Sequence, residues 1–325
     1  MSTVGWGVAG CGWVARDHAL PALHAVPRAR VVALHDVSAE AMVRTDVAAP
    51  HQTDLAAFLA SPGLQAVYVA TPNSSHRVLV EAAAAAGLAV LCEKPLASDV
   101  ADAEAMVAAS AGTLFGTAYE QRWHPAHVRL RALLPELGTV TAVRIVYCCW
   151  LPADWSPDGR PHDNWRVDRD RAGGGAAIDL APHGLDLVGA LLGEDVTELH
   201  ALTQSRVHDY AVDDGALLIG RTHGGVLVDL HVAYNTPDAL PRRRLEVVGT
   251  RAMAVATDTM GQRAGGSLVL YAPDPVDVPF GDGDPFRAQF ETFTDAVLGR
   301  TRWPFDAARD LRLHRLLLGA LAASA

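Results

Sequence analysis

Lysine is nearly absent from this chain: of 27 basic residues one, Lys94, is a lysine and the rest are arginines. Cysteine is scarce as well. Cys11, Cys92, Cys148 and Cys149 form no C-x-x-C spacing, which argues against a zinc module or a disulfide framework and suits a reducing cytoplasm. Positive charge is in deficit, with a formal net charge of -10, so a nucleic-acid-binding surface is not expected. That balance mildly favours cationic over anionic ligands. Long apolar runs are missing too. The longest candidate, Leu311 to Ala323, is broken by Arg312, His314 and Arg315, and none reaches the ~18 to 20 residues of a membrane span. The chain enters the apolar stretch Val4 to Val8 without a basic region before it, so no secretory signal and no membrane partner are expected. What remains is 325 residues, half of them apolar, enough for two domains with sizeable cores.

The single lysine carries information. A composition rich in Arg and Ala reads as that of a GC-rich genome, in which arginine serves wherever a generic cation will do. Lys94 stands outside that bias. An ammonium is compact and shifts its pKa when buried, which a guanidinium does not do. Chance is the alternative, since a lone lysine must fall somewhere.

Over the first ~118 residues short β runs alternate with helical patterns, the signature of a parallel sheet with crossover helices. Strands are predicted at Val4–Val8, Arg30–Asp36, Ala66–Ala70, Leu88–Cys92 and Thr113–Ala118, and helices at Val14–Val26, His76–Ala86 and Asp99–Ala111. Asp99 is a candidate N-cap, and Gly87 ends the helix before it. From Pro125 the pattern changes. A helix, Pro125–Leu134, leads to a long strand, Thr139–Trp150, and then to a polar loop, Leu151–Arg171. A run of three glycines from Gly173 opens into an apolar helix ending near Gly193. Strands follow near Val196–Leu202, Asp214–Thr222, Val226–Ala233, Arg244–Gly249 and Ser267–Tyr271, and helices near Phe286–Leu298 and Asp306–Ala323 close the chain. Short glycine-containing turns such as His223-Gly224-Gly225 suit antiparallel pairing. Two domains are expected, residues 1–120 for the dinucleotide and 121–325 for the substrate and for oligomerisation.

The predicted first strand runs into Gly10-Cys11-Gly12-Trp13-Val14-Ala15, the G-x-G-x-x-A form of the dinucleotide fingerprint. Gly10 makes the tight turn, Gly12 lets the backbone approach the pyrophosphate, and Ala15 lets the helix pack closely. Cys11, Trp13 and Val14 belong to the same cofactor-binding turn, where the N–H groups of the helix N-terminus meet the phosphates. Asp36 closes the second strand, where a carboxylate accepts bonds from ribose hydroxyls and repels a 2′-phosphate. Val37 and Ser38 follow and no arginine does, so NAD is expected over NADP. A solvated turn residue is the plainer reading of Asp36.

Three further stretches are Ala70-Thr71-Pro72-Asn73-Ser74-Ser75-His76, Cys92-Glu93-Lys94-Pro95-Leu96, and the segment from Gly173 through Asp179 and His183 to Asp186. With the fingerprint, and with Tyr119-Glu120-Gln121-Arg122-Trp123-His124-Pro125-Ala126, they resemble the glucose–fructose oxidoreductase, inositol dehydrogenase and MocA family (Gfo/Idh/MocA) over nearly the whole chain. The resemblance implies an α/β protein, with a Rossmann domain followed by an α+β domain built on a large open, mainly antiparallel sheet. It implies a homodimer or homotetramer. It matches Lys94 to the family's active-site lysine, and Asp179 and His183 to its D-x-x-x-H pair. It places Thr71, Pro72, Asn73, His76 and Glu93, with Lys94, along the nicotinamide half of the cofactor. One departure is Ala181-Pro182 before the histidine, where glycine is frequent at 181; proline suits a first helical turn, so the helix is expected to start or kink there.

Oxidising a secondary alcohol removes a hydride from carbon and a proton from oxygen. Histidine suits the proton because its pKa lies near working pH, which makes His183 the candidate general acid/base. Lys94 as a nearby cation would stabilise a developing alkoxide and lower the histidine's pKa. Asp179 would bind a substrate hydroxyl or orient the other two. The alternatives are a core histidine, or a metal pair at i,i+4 spacing, for which no third ligand is evident. Asp186 reads as a cap or salt-bridge partner. The loop with Trp155, His162, Asn164, Trp165 and Arg166 is a candidate edge of the substrate cleft, since indole faces suit the C–H faces of polyols. The plainer reading has these tryptophans packing the loop down. Tyr119, Arg122 and His124 are pocket candidates on the same footing.

These readings converge on an NAD(H)-dependent enzyme acting on a sugar, amino sugar or cyclitol of secondary metabolism, in the cytoplasm. A glycosidase that retains NAD and acts by transient oxidation is the alternative enzyme class. A non-catalytic NAD-sensing regulator is the other, and an intact Lys94, Asp179 and His183 argue against it.

Overall fold

The computed structural model describes residues 2–157 and 163–324. His162, one of the cleft candidates, lies outside the described residues. The chain divides into two compact units, one of Met1–Tyr119 with Phe286–Leu311 and one of Glu120–Pro285 with Arg312–Ala325.

The first unit holds strands β1 (Val4–Ala9), β2 (Ala29–His35), β3 (His51–Gln52), β4 (Ala66–Val69), β5 (Ala89–Glu93) and β6 (Phe115–Ala118). All neighbours are parallel, in the order β3-β2-β1-β4-β5-β6. This is the doubly wound arrangement, in which ligands sit at the carboxyl ends of the strands where the order reverses, here between β1 and β4. Both faces are covered, as a parallel sheet requires. Trp6, Val8, Tyr68 and Leu91 pack on one side, and Val67, Val69, Val90 and Cys92 pack with Leu79, Val80 and Ala83 on the other. The expected cap is in place: the Asp99 carboxylate accepts the Asp102 N–H at 2.8 Å, starting the helix Val100–Ala109.

Beyond residue 120 one segment returns to the first unit. Residues 286–311 belong to the first unit, because the helix Pro285–Val297 carries Phe286, Phe290 and Phe293 onto Trp6 and Tyr68. Phe290 meets Trp6 edge-on at 5.4 Å and Tyr68 at 5.0 Å. The Arg28 guanidinium also grips Asp295 through two bonds of 2.8 and 2.9 Å.

The second unit is built on an eight-stranded sheet. Its strands are β7 (Val140–Cys148), β8 (Val196–Gln204), β9 (Gly215–Thr222), β10 (Leu227–Ala233), β11 (Arg243–Gly249), β12 (Met253–Thr257), β13 (Ser267–Tyr271) and β14 (Pro275–Asp277). The order is β14-β13-β12-β11-β7-β10-β9-β8, antiparallel except for the β7 and β10 pair. Alternation sorts the faces. Val143, Ile145 and Tyr147 of β7, Leu245 and Val247 of β11, and Val228, Leu230 and Val232 of β10 join one apolar core with the helices Pro125–Leu137 and Ala176–Leu192. The strands β3, β12 and β14 are absent from the sequence-based prediction: β3 and β14, at two and three residues, are too short to show a period, and β12 (Met253-Ala254-Val255-Ala256-Thr257) shows no apolar–polar alternation.

The helix Ala176–Leu192 begins well before Pro182 and runs through it, so the expected start there is corrected. Its true start is set from a distance. The Asp213 carboxylate accepts the N–H groups of Gly175 and Ala177 at 2.9 and 2.8 Å, satisfying donors that a helix terminus leaves open. A Cβ on Gly175 would come within 2.0 Å of the Asp213 carbonyl oxygen, so glycine is needed at that approach. The run Arg169–Leu192 is long and apolar enough to cross a membrane by length and composition, but 83% of its apolar window is buried inside the protein, as in a core helix.

Candidate active site

In the first unit β1 ends at Ala9 and the chain turns through Gly10. Gly10 has φ +91°, and a Cβ there would lie 2.5 Å from the Ala70 carbonyl oxygen. Gly12 is the opposite case, since a Cβ would meet nothing within 4 Å and its backbone faces open space. The Arg16 N–H donates to the Gly12 carbonyl at 2.9 Å, and helical turns cover 13–25, including a π-helical stretch, Ala15–Ala19. Ala15 is buried in the same cluster as Val8, as the close packing of helix on strand demands. Asp36 stands one residue beyond β2. Its two oxygens accept the Cys11 and Ser38 N–H groups, each at 2.8 Å, so the carboxylate is held at the rim of the glycine turn. Burial, and then the Asp36 charge, push the Cys11 thiol up to about 12, which leaves it a neutral packing group. A bare-backbone turn at a helix start, with a fixed carboxylate at the end of β2, fits a dinucleotide.

After β4 the chain forms a short turn in which Asn73 is buried, with Thr71 and Pro72 half-buried beside it. His76 is fully buried behind this turn, its Nε2 3.1 Å from the Thr71 carbonyl and its Nδ1 3.3 Å from that of Leu96. Burial lowers its pKa to about 4, so the neutral ring donates to one carbonyl and faces the other. His76 thereby ties the turn at 71–76 to the loop after β5. Glu93 closes β5. Its carboxylate accepts the Tyr68 hydroxyl and, at 3.3 Å, the Lys94 N–H. Lys94 follows, half-buried, at the carboxyl edge of the sheet.

The second unit gathers a polar cluster inside its apolar core. Asp179 and His183 lie one turn apart on the helix Ala176–Leu192. His183 is 3% exposed. Its Nδ1 is 3.8 Å from the Glu120 carboxylate, and the edge of its ring meets Tyr147 at 5.5 Å and 78°. Asp179 accepts the Tyr234 hydroxyl at 2.6 Å. Burial raises the pKa of both tyrosines, and that of Cys149 to about 12, so these groups stay neutral. Arg243 places its guanidinium 5.8 Å from the Tyr147 ring centre. Among the described residues no group of three or more His, Cys, Asp or Glu is arranged to hold a metal.

The other substrate-site candidates have partners within the protein or are buried. Arg122 is sealed in a two-bond pair with Asp186, at 2.8 and 2.6 Å, with side chains 1% and 0% exposed. It is a buried strut, and Asp186 is its salt-bridge partner. Tyr119 is buried at the end of the first unit's opening segment. Burial lowers the His124 pKa to about 4, and its Nδ1 accepts the Ala126 N–H at 3.2 Å to cap a helix. Trp155 and Trp165 are half-buried and bracket Arg166, whose guanidinium lies 5.8 and 4.6 Å from their ring centres. Asn164 is buried, donating to the Pro152 carbonyl at 3.2 Å. Sequence reasoning gave no role to Glu120, Gln121, Tyr147, Tyr234 or Arg243. Only the flanking tyrosine-to-alanine motif at 119–126 signalled Glu120 and Gln121; the others come from separate strands and carry no local pattern.

Residues 4–113 match an oxidoreductase family with an NAD-binding Rossmann fold, and residues 127–255 match the GFO/IDH/MocA C-terminal domain. A 1,5-anhydro-D-fructose reductase from Ensifer adhaerens is 31% identical over 304 residues, covering 90% of this chain and 88% of that one. The fold is shared with a levoglucosan dehydrogenase bound to NADH and L-sorbose, at a TM-score of 0.85 and 21% identity over 100% of this chain and 97% of that one. It is shared too with a 3-ketoreductase from Actinomadura kijaniata, solved with TDP-benzene and NADP, at a TM-score of 0.83 and 23% identity over 99% and 98%. With both of its parts matched and a relative aligned along most of its length, this chain belongs to the GFO/IDH/MocA family of oxidoreductases.

Proposed function

We propose that the protein transfers a hydride between NAD(H) and a secondary alcohol or ketone of a sugar, amino sugar or cyclitol. The observation that carries this reading is His183, a buried imidazole in contact range of a carboxylate and one helical turn from Asp179. When bound, the nicotinamide supplies the hydride acceptor or donor. The chain's own residues handle the rest. His183 takes the hydroxyl proton in oxidation and returns it in reduction. Asp179, oriented by Tyr234, accepts a bond from a neighbouring substrate hydroxyl. Lys94 offers its ammonium to the oxygen that becomes a carbonyl.

The Asp36 carboxylate, held by two N–H groups beyond β2, supports NAD over NADP, since a carboxylate there would accept ribose hydroxyls and repel a 2′-phosphate. The two cofactor-bound relatives differ here, one holding NADH and the other NADP. The outer face of the eight-stranded sheet exposes Leu202, Leu217, Ile219 and Leu227, which supports self-association into a dimer or tetramer. Fluorescence titration with NADH and NADPH, then a screen of polyols and keto-sugars at the nicotinamide absorbance band, tests the reading. Tighter NADH binding with sugar or cyclitol turnover is expected. Binding of neither cofactor overturns it.

A further inference from the structure

We infer that Glu120 is a positioning residue for His183, so that the proton-handling group is a carboxylate–imidazole dyad. The inference rests on the reading of His183 as acid/base and adds to it the group that orients the ring and balances its charge. Both side chains are 4% exposed, and Glu120 Oε2 lies 3.8 Å from His183 Nδ1. That is ion-pair range, longer than a hydrogen bond, and contacts of this kind tighten when the reacting complex forms.

The carboxylate is tied at one oxygen. Gln121 Nε2 donates to Glu120 Oε1 at 3.1 Å and to the Gly261 carbonyl at 3.0 Å, with Gln121 itself fully buried. One oxygen is therefore anchored, and the other is directed at the imidazole. Tyr147 from β7 sets the ring plane from a second side. Several other charged and titratable groups of the second unit have partners of their own. Asp179 on the same helix accepts the Tyr234 hydroxyl, and Asp186 is paired with Arg122. Burial keeps Tyr147 and Cys149 neutral, and Arg243 from β11 places its guanidinium 5.8 Å from the Tyr147 ring centre.

A carboxylate on the Nδ1 side favours the tautomer with its proton on Nδ1. The Nε2 lone pair then faces the substrate as the proton acceptor. With nicotinamide bound to supply the hydride acceptor, oxidation would pass the O–H proton to Nε2 as the C–O bond becomes a carbonyl. Glu120 stabilises the imidazolium without taking a proton itself.

The test needs no known substrate. Protein labelled with 15N-histidine is titrated by long-range proton–nitrogen NMR, with His183→Asn assigning the resonance, in the native chain, Glu120→Gln and Glu120→Asp. The native ring is expected as the Nδ1–H tautomer. Loss of the negative charge in Glu120→Gln should lower its titration midpoint by roughly one unit or more, the effect of an opposite charge at this range, with Glu120→Asp restoring part of it. NADH affinity serves as the folding control. Should Glu120→Gln not fold, Gln121→Leu, which unties the carboxylate, must move the midpoint in the same direction. An unchanged tautomer and midpoint overturns the dyad. A shifted midpoint in a protein that turns over no sugar or cyclitol would uphold the dyad and sink the dehydrogenase reading, so the two fail separately.

Discussion

Arg122 offers the sharpest separation between a substrate contact and a structural strut. Its guanidinium and the Asp186 carboxylate form a two-bond pair that is 1% and 0% exposed. Taking such charges out of water is expensive, and removing one partner leaves the other buried without compensation. Asp186→Asn and Arg122→Met should each destabilise by about 3–5 kcal/mol. With a urea dependence of about 2–3 kcal/mol per molar, that lowers the urea midpoint by about 1–2.5 M. Replacing both, as Arg122→Met with Asp186→Leu, removes the unpaired charge and should recover most of the loss, to within about 1 kcal/mol of the native protein. Urea unfolding followed by tryptophan fluorescence measures all three. Asp186 is also one turn from His183, so the single variants should lower kcat while leaving NADH affinity intact. An Arg122→Met protein with the native urea midpoint and a KM for a sugar raised tenfold would refute the strut and reinstate Arg122 as a substrate ligand.

The two fingerprint glycines should fail differently. Gly10→Ala meets the Ala70 carbonyl at 2.5 Å at a positive φ, so it should cost both stability, by about 1 kcal/mol or more, and NADH affinity. Gly12→Ala enters open space, so its urea midpoint should stay near native while NADH titration shows at least a tenfold loss. Asp36→Asn removes the charge and keeps the size, and should shift the ratio of NADPH to NADH dissociation constants toward NADPH by about tenfold, about 1.4 kcal/mol. Acid should weaken both units through buried histidines. His76 and His127 have pKa values lowered to about 4 and about 3 by burial, against an unfolded value of 6.5. The unfolded chain therefore binds more protons below pH 6.5, and stability falls as pH drops from 6.5 toward those values, by up to about 1.4 kcal/mol per pH unit for each histidine. Urea midpoints between pH 7 and pH 4 should show this slope, and it should shallow in His76→Asn.

Much of the cofactor half was legible because its chemistry is local. A strand, a glycine turn and a helix start occupy consecutive residues, and Asp36 follows the next strand at a regular distance. Backbone geometry at Gly10 and Gly12 then determines what each glycine is for. His76 shows where locality ends. It sits in the expected motif, yet whether it touches a ligand or braces two loops depends on burial and on the Leu96 carbonyl, twenty residues away. The same holds in the second unit. The spacing of Asp179 and His183 placed them on one helical face, and their neighbours could not be read from it. Tyr234 comes from the end of β10, Tyr147 from β7, Arg243 from β11, and Asp213, which starts the helix, from the connection between β8 and β9. Strand order and register bring those side chains together, and a hydrophobic pattern records which face of a strand is buried but not which strand lies beside it. The return of Phe286, Phe290 and Phe293 to the first unit has the same cause. An amphipathic helix announces that it will bury a face, and the surface that receives it is chosen only when the chain has folded.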